Sequence, residues 1–453
     1  MSGGLCALHV PSLPRPRNRI GLYGILMWNL PLVIISLMAY AVCARRSLSL
    51  QTPRYRLALF ALVNISTLIW LSLLAVYDDW IQEPILSLGT EAVLRHITLI
   101  VSYILVITAA YFLMRRFAGR EGYLPWIAFF FPIILLVVYR YFPFVWKPAV
   151  ERAGFDSWMV PATVIGLSYM AFRLSYLVLE VRNQTAEMPT LAEYLGFAFF
   201  LPTMVVGPIS PFSYHQSSVR SADRMTAPIG RATLRILVGA TKYLFLANLI
   251  NQISYSGLLL DGKPHGLFDV AVAAVAYYLY LFCNFSGFCD MAIGLAAIVG
   301  VRVKENFDNP FVARNIKEFW NRWHITLSEY TKDVVFGPVS KGVIKLFGPK
   351  YTNLGISTGI LAVFLVIGIW HGVAIHYIVF GLIHAAGVIT NHYYTNWMKK
   401  RLGKQRFKAY NENPIVNSVA TVLTFLYVAA SFAVFANSWD SLRSIASNID
   451  LGF

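Results

Sequence analysis

Imidazole takes up and releases a proton near neutral pH, so histidines are the first side chains to weigh in a chain with few other polar groups. His371 closes the apolar run 361–370 within Trp370-His371-Gly372. An ionisable group at membrane depth is costly and marks function by default; the structural alternative is an imidazole bonded to a neighbouring helix. His324 ends the run Phe319-Trp320-Asn321-Arg322-Trp323-His324 and reads either as a solvated interfacial residue or as a second catalytic imidazole. A third group is Asn284-Phe285-Ser286-Gly287 with Asp290, inside the apolar run 267–301. A carboxylate there needs a partner. It could line a polar tunnel or pair with an arginine such as Arg140 or Arg173. A fourth feature is Gly207-Pro208, after Pro202, which reads as a helix break lining a cavity or as an ordinary span end. His376, His384 and His392 fit no His-Glu-x-x-His spacing and have no nearby carboxylate, so no metal site is expected. Nor do the four cysteines form a Cys-x-x-Cys pair, which leaves neither a zinc site nor a disulfide framework.

The elements that must hold these groups are membrane helices. Hydrophobic residues make up 57% of the chain and charged ones 13%, about half the share of a soluble domain, so polar surface is too scarce for a water-soluble globule. Spans need about 20 mostly apolar residues. Candidates run over 20–43, 57–77, 94–114, 123–146, 158–180, 191–213, 229–256, 267–301, 353–371, 372–397 and 414–437. The expected fold is all-α and polytopic, with about 11 spans, good to one or two either way. It reads as a single integral membrane domain with no soluble domain and no internal repeat. The opening stretch, with Pro11, Pro14 and Pro16 among Arg15, Arg17 and Arg19, reads as the flank of an anchor, not as a clean signal peptide.

The net charge of +16 comes from basic residues that punctuate apolar runs, which suits cytoplasmic loops better than a nucleic-acid surface. The densest cluster, Lys399 to Lys408, and the stretch 341–350 are placed in the cytosol. They enclose two crossings, so His371, near the turn between them, lies deep or toward the outer face. Residues 316–336 form an amphipathic pattern too charged to span. Ile316, Phe319, Trp320, Trp323, Leu327, Tyr330 and Val334 share one stripe of a helix at the interface or dipping in, with His324 at its edge.

These pieces together resemble the membrane-bound O-acyltransferase (MBOAT) family over roughly residues 160–440. The blocks that carry the likeness are NFSGFCDMAIGL, ENFDNPFVARNIKEFWNRWHITLSEYTKDVVF and GIWHGVAIHYIVFGLIHA. GLSYMAFRLSYLVLEVR, FLPTMVVGPISPF and SFAVFANSWDSL support them, whereas residues 1–120 rest on hydropathy alone. The style is that of bacterial cell-envelope members, of the teichoic acid D-alanyl transfer type and the alginate O-acetylation type. Asn284 stands where the bacterial pattern usually has Asp, so no carboxylate role is carried over to it.

The resemblance implies transfer of a short acyl group, acetyl or D-alanyl, from a thioester to a hydroxyl. His371 maps onto the family histidine of Trp-His-Gly and is cast as base. His324 maps onto that of Arg-Trp-His and is cast as orienting or polarising the donor carbonyl. Trp320, Asn321, Trp323, Trp370, Asn284, Ser286 and Asp290 are the expected substrate-binding set. Direct transfer is expected in place of a covalent acyl-enzyme. No tightly bound cofactor is expected; the donor would be acyl-CoA or the phosphopantetheine of an acyl-carrier protein, both cytosolic. The acceptor would be an extracytoplasmic polymer, with a periplasmic or membrane-anchored acyltransferase as a further partner, in the bacterial inner membrane. Rival readings are a transporter or flippase, and a non-catalytic scaffold for an envelope-modifying complex.

Overall fold

A computed structural model describes residues 22–80, 90–154, 164, 166–221 and 228–450. The Pro/Arg stretch at the start of the chain lies outside them. The described residues are helical apart from turns, connecting segments and two isolated bridge pairs. Seven runs among them are long and apolar enough to cross a bilayer: 53–72, 94–117, 124–141, 229–259, 267–299, 349–371 and 414–436. Each answers to an expected segment, and the chain is an all-α, multi-pass membrane protein. Many apolar side chains on these helices face outward. Val419, Val422, Leu423 and Leu426 form such a stripe at helical spacing, opposite buried Val428, Ala429 and Phe432. Lipid is the solvent that this outer surface requires.

By packing, the chain divides into two compact units. The first comprises residues 1–236 and 291–304. It holds α1 (Leu22–Leu48), α2 (Pro53–Trp80), α3 (Thr90–Phe117), α4 (Leu124–Tyr141), α5 (Pro143–Arg152), α6 (Leu167–Arg182), α7 (Leu191–Ala198) and α8 (Phe212–Arg220). The expected span 158–180 is met by the 16 residues of α6, while 158–163 and 165 lie outside the described residues. The expected span 191–213 is not one helix. α7 ends at Ala198, a single turn covers Leu201–Met204, and no helix resumes until Phe212.

That break at Gly207-Pro208 is lined by protein, which is the condition for irregular backbone in a membrane protein. Nearly all of 199–212 is buried. Glu180 accepts from the Phe212 and Ser213 amides at 2.6 and 3.1 Å and from the Ser213 hydroxyl at 2.7 Å, satisfying the open start of α8. Asn64 accepts from the Leu201 amide at 3.1 Å. Gly207 sits at φ +83°, and a Cβ there would meet the Tyr169 ring at 2.7 Å.

The second unit comprises residues 237–290 and 305–453. α9 (Ile229–Ala240) enters it and continues helically to Asn251. α10 (Leu267–Val299) is one unbroken helix of 33 residues, where the sequence left open a tilted or a broken one. Next come α11 (Ile316–Arg322), α12 (Ile325–Thr331), α13 (Gly337–Phe347), α14 (Thr352–His371), α15 (Ile375–Glu412), α16 (Pro414–Ala436) and α17 (Trp439–Ser447). α14 packs on α13 through Gly355 and Gly359, where a Cβ would press on Ser340, Ile344 and Phe336. Small residues four apart let membrane helices approach closely.

Candidate functional site

His371 is the last residue of α14, and α15 begins at Ile375, so the imidazole sits at the tip of a helical hairpin. The pairing is antiparallel. Asn353 meets His392 at 3.0 Å, Ser357 meets Tyr393 at 3.3 Å, and a Cβ at Gly368 would lie 2.6 Å from the Tyr377 carbonyl oxygen. Gly381 closes the same seam against the Phe364 backbone. The 20 residues of α14 rise about 30 Å, so its ends lie a bilayer's thickness apart along the helix. At the tip, a Cβ on Gly372 would fall 2.5 Å from the Tyr377 ring, so the Gly of Trp-His-Gly is needed for close packing. The half-buried His371 ring meets Trp370 at 4.8 Å and the edge of Phe435 at 4.8 Å.

His324 does not lie on a continuous amphipathic helix, as the periodicity of 316–336 suggests. The helix stops at Arg322, Trp323 is extended, and His324 adopts φ +47°, a left-handed conformation that an L side chain rarely takes. Such a residue costs of order 1 kcal/mol or more and persists only where its surroundings fix it. The segment 306–308 does the fixing. Phe307 bridges to Trp323, and the Asp308 amide donates to the Arg322 carbonyl at 3.0 Å. Asn306 then caps α12 from outside. Its backbone oxygen takes the Ile325 amide at 3.0 Å and its Oδ1 takes the Thr326 amide at 3.2 Å. The apolar stripe is real nonetheless. Ile316, Phe319, Trp320, Trp323, Leu327 and Tyr330 are all buried, and Val334 is half-buried.

His324 is 3% exposed. Its Nδ1 lies 3.2 Å from Asn306 Oδ1, its ring stands on edge to Phe285 at 4.7 Å, and Trp370 lies at 6.1 Å. The Trp370 indole thus neighbours both His324 and His371. Nε2 of His324 is buried with no hydrogen-bond partner. Burial, and secondly the positive field of His371, push the His324 pKa down to about 3, so the ring is neutral through the physiological range. An unpaired buried acceptor costs roughly 1–3 kcal/mol.

Trp320 and Trp323 belong to the surrounding aromatic packing. Trp320 Nε1 donates to His384 Nδ1 at 3.1 Å, and His384 Nε2 meets Ser431 Oγ at 2.9 Å. Trp323 packs on Phe307, Phe319 and Phe432. Asn321 is exposed, away from this buried set.

Asp290 finds a partner in Lys242 at 2.7 Å, a lysine where the sequence pointed to arginines. Arg173 is buried elsewhere, donating to the Phe197 carbonyl with its guanidinium over the Phe197 ring at 4.4 Å. Lys242 also reaches Ser286 Oγ at 3.4 Å and lies 5.6 Å from the Phe282 ring centroid. Gly287 permits this: a Cβ there would meet the Gly239 carbonyl at 2.7 Å and Lys242 Cβ at 2.9 Å. Ser286 is buried, and Asn284, one turn before Gly287, is half-buried. Sequence reasoning missed Lys242, although a lone lysine in the apolar run 229–256 is itself a signal. It also missed Asn306, which carries no periodic signal.

Direct transfer was expected because the sequence was read as holding no Gly-x-Ser-x-Gly elbow; that spacing does occur, at Gly355–Gly359. A nucleophile elbow needs a sharp strand-to-helix turn. Here the motif lies within α14, its glycines face α13, and Ser357 donates to Tyr393. It is a packing motif.

The family model of the membrane-bound O-acyltransferases, MBOAT, matches residues 27–433. The chain belongs to that family. Its activity class is O-acyl transfer. The MBOAT match takes in α1 to α4, where the sequence showed no recognisable block. Among curated relatives, a teichoic acid D-alanyltransferase of Streptococcus thermophilus is 31% identical, over 61% of this chain and 69% of its own. A probable alginate O-acetylase, AlgI, of Pseudomonas aeruginosa is 28% identical over 60% of this chain and 48% of its own. A peptidoglycan O-acetyltransferase of Helicobacter pylori is 28% identical over 48% and 41%. The match thus spans about half the length of the O-acetylase relatives and over two thirds of the D-alanyltransferase.

Proposed function

We propose that this chain moves a short acyl group, of acetyl or D-alanyl type, from a cytosolic thioester to a hydroxyl of an extracytoplasmic cell-envelope polymer. The observation that carries this reading is the pair of imidazoles beside Trp370, one of them buried, neutral and open at Nε2, at the tip of a hairpin whose far ends are basic. In the transfer, the hydroxyl oxygen bonds to the thioester carbon, the C–S bond breaks, and the hydroxyl proton passes to a base and on to the departing thiolate. His371 is assigned as that base, and His324 as the second imidazole of the site. Trp320, Trp323 and Trp370 would shape the site, while the Lys242–Asp290 pair with Ser286 would tie the helical continuation of α9 to α10, with Asn284 at its edge.

The donor, acyl-CoA or acyl-carrier protein, is acidic. Basic residues at 341–350 and 399–408 would draw it to the cytosolic face of the bacterial inner membrane. The acceptor would meet the acyl group from the other side, with a periplasmic or membrane-anchored acyltransferase as the partner that hands it on; the donor itself need not cross. All three curated relatives named above act on, or are named for, envelope or exported polymers, which favours such an acceptor. The decisive experiment compares mass spectra of the envelope polymers from cells with and without this protein, and with His371→Ala in its place. Loss of one acyl mass in both is the expected result. An acylation pattern unchanged by deletion would sink the reading, and a wild-type pattern with His371→Ala would leave a scaffold as the better account.

A further inference from the structure

The hydrogen bonds around Asn306 decide what His324 can offer a substrate. A backbone N–H only donates, and the Thr326 amide points at Asn306 Oδ1 from 3.2 Å. The atom in that place is therefore the amide oxygen and not the nitrogen. The Thr326 hydroxyl donates to the same oxygen at 2.8 Å, and Asn306 Nδ2 is turned the other way, to Cys289 Sγ at 3.4 Å. With an oxygen 3.2 Å from His324 Nδ1, the imidazole must be the donor there. A neutral ring has one N–H, so Nε2 carries a lone pair. That is the atom left buried and unpartnered, on a residue held in a left-handed backbone conformation.

We infer that Asn306 is a positioning residue that fixes His324 as the Nδ1–H tautomer, so that His324 Nε2 accepts a hydrogen bond from a substrate O–H or N–H and cannot polarise the thioester carbonyl. This rests on the acyl-transfer reading and revises the role expected for His324 within it: a lone pair attracts a hydroxyl or amide hydrogen and repels a carbonyl oxygen. Two substrate groups carry such a hydrogen, the acceptor hydroxyl and the amide N–H groups of a pantetheine arm.

The tautomer is read directly from nitrogen NMR of the wild-type protein labelled with 15N-histidine in detergent or nanodiscs, with His324→Gln assigning the signals. A pyrrole-type Nδ1 and a pyridine-type Nε2 are expected for His324; the reverse pattern overturns the inference whatever the activity. Transfer assays then test its use. Asn306→Ala should lower kcat by roughly 10²-fold or more, since the ring is then free to take the other tautomer. Asn306→Asp keeps an acceptor oxygen for both Nδ1–H and the Thr326 amide and should recover most of that loss. Thr326→Val, which removes the hydroxyl but not the cap, should stay within a few-fold of wild type. If Asn306→Asp is as inactive as Asn306→Ala while both fold, or if Asn306→Ala is fully active, the positioning role fails. For His324→Ala, a raised KM for polymer assigns the hydroxyl, and a raised KM for thioester assigns the pantetheine amide. No change in either KM or kcat removes the lone pair from substrate binding. A wild-type protein with the expected tautomer and no transfer activity would condemn the acyl-transfer reading alone.

Discussion

His324 and His384 lie in the same unit, both almost fully buried and both ringed by aromatics, yet their bonding is opposite. Trp320 can only donate, so His384 Nδ1 accepts, and His384 Nε2–H donates to Ser431, whose hydroxyl continues to the Val428 carbonyl at 2.8 Å. Every polar atom in that relay is used. His324 is the mirror case, with Nδ1–H committed and Nε2 open. A closed relay stabilises a core, whereas an open atom beside a strained backbone is what a site keeps for a substrate. Burial and aromatic surroundings alone would not separate the two.

Variants can break that contrast, and the largest effect is expected at the neighbouring tip. His371→Ala should cut transfer by about 10²–10⁴-fold while the protein still reaches the membrane, as quantified by acyl-polymer yield against immunoblotted protein. Near-normal acylation would remove it from the role of base. His324→Ala should follow with a loss on the order of 10²-fold and little change in melting temperature. His384→Ala should invert this. Removing the ring strands the Trp320 N–H and opens a cavity, so a loss of about 2–4 kcal/mol in stability is expected, with the activity of the folded fraction within a few-fold of wild type. If His384→Ala is stable and dead, the open-versus-closed distinction is wrong.

Smaller effects are expected at the α9–α10 contact. Lys242→Met should cost more than the pair replacement Lys242→Met/Asp290→Leu, because the single change takes the lysine's charge away from a half-buried carboxylate. Thermal unfolding of the two variants side by side reads the difference, and equal stabilities would mean the pair is solvated. Smallest of all, neutralising Lys399, Lys400 and Lys404 should raise the KM for the thioester a few-fold at low salt and not at high salt. A salt-independent KM in the wild type would argue against electrostatic capture.

The sequence made the hairpin and its histidine legible, because apolar length, flanking charge and a lone ionisable residue are all local signals. The apolar run of α10 was readable for the same reason, but that it is one unbroken helix was not. The break at His324 was not: helical periodicity runs straight through 316–336, and only the tertiary clamp from 306–308 forces Trp323 and His324 out of the helix. Asn306 sits in a connecting segment, where residue type says little until its neighbours are known. Lys242 as a partner of Asp290 was not foreseen, because it is placed by the glycine contact at Gly287, which no pattern along one helix reveals.

The glycines of α14 bear on the kinetics of any catalytic cycle. Gly355 and Gly359 seat it against α13, and Gly368, with Gly381 opposite, seats it against α15, each without the slack that a side chain provides. Sliding or rolling of one rod on another would drive backbone into backbone, so the three helices behave as a stator. The histidine at its end is seated by the same packing, and any motion that admits or releases a ligand has to be hinged elsewhere.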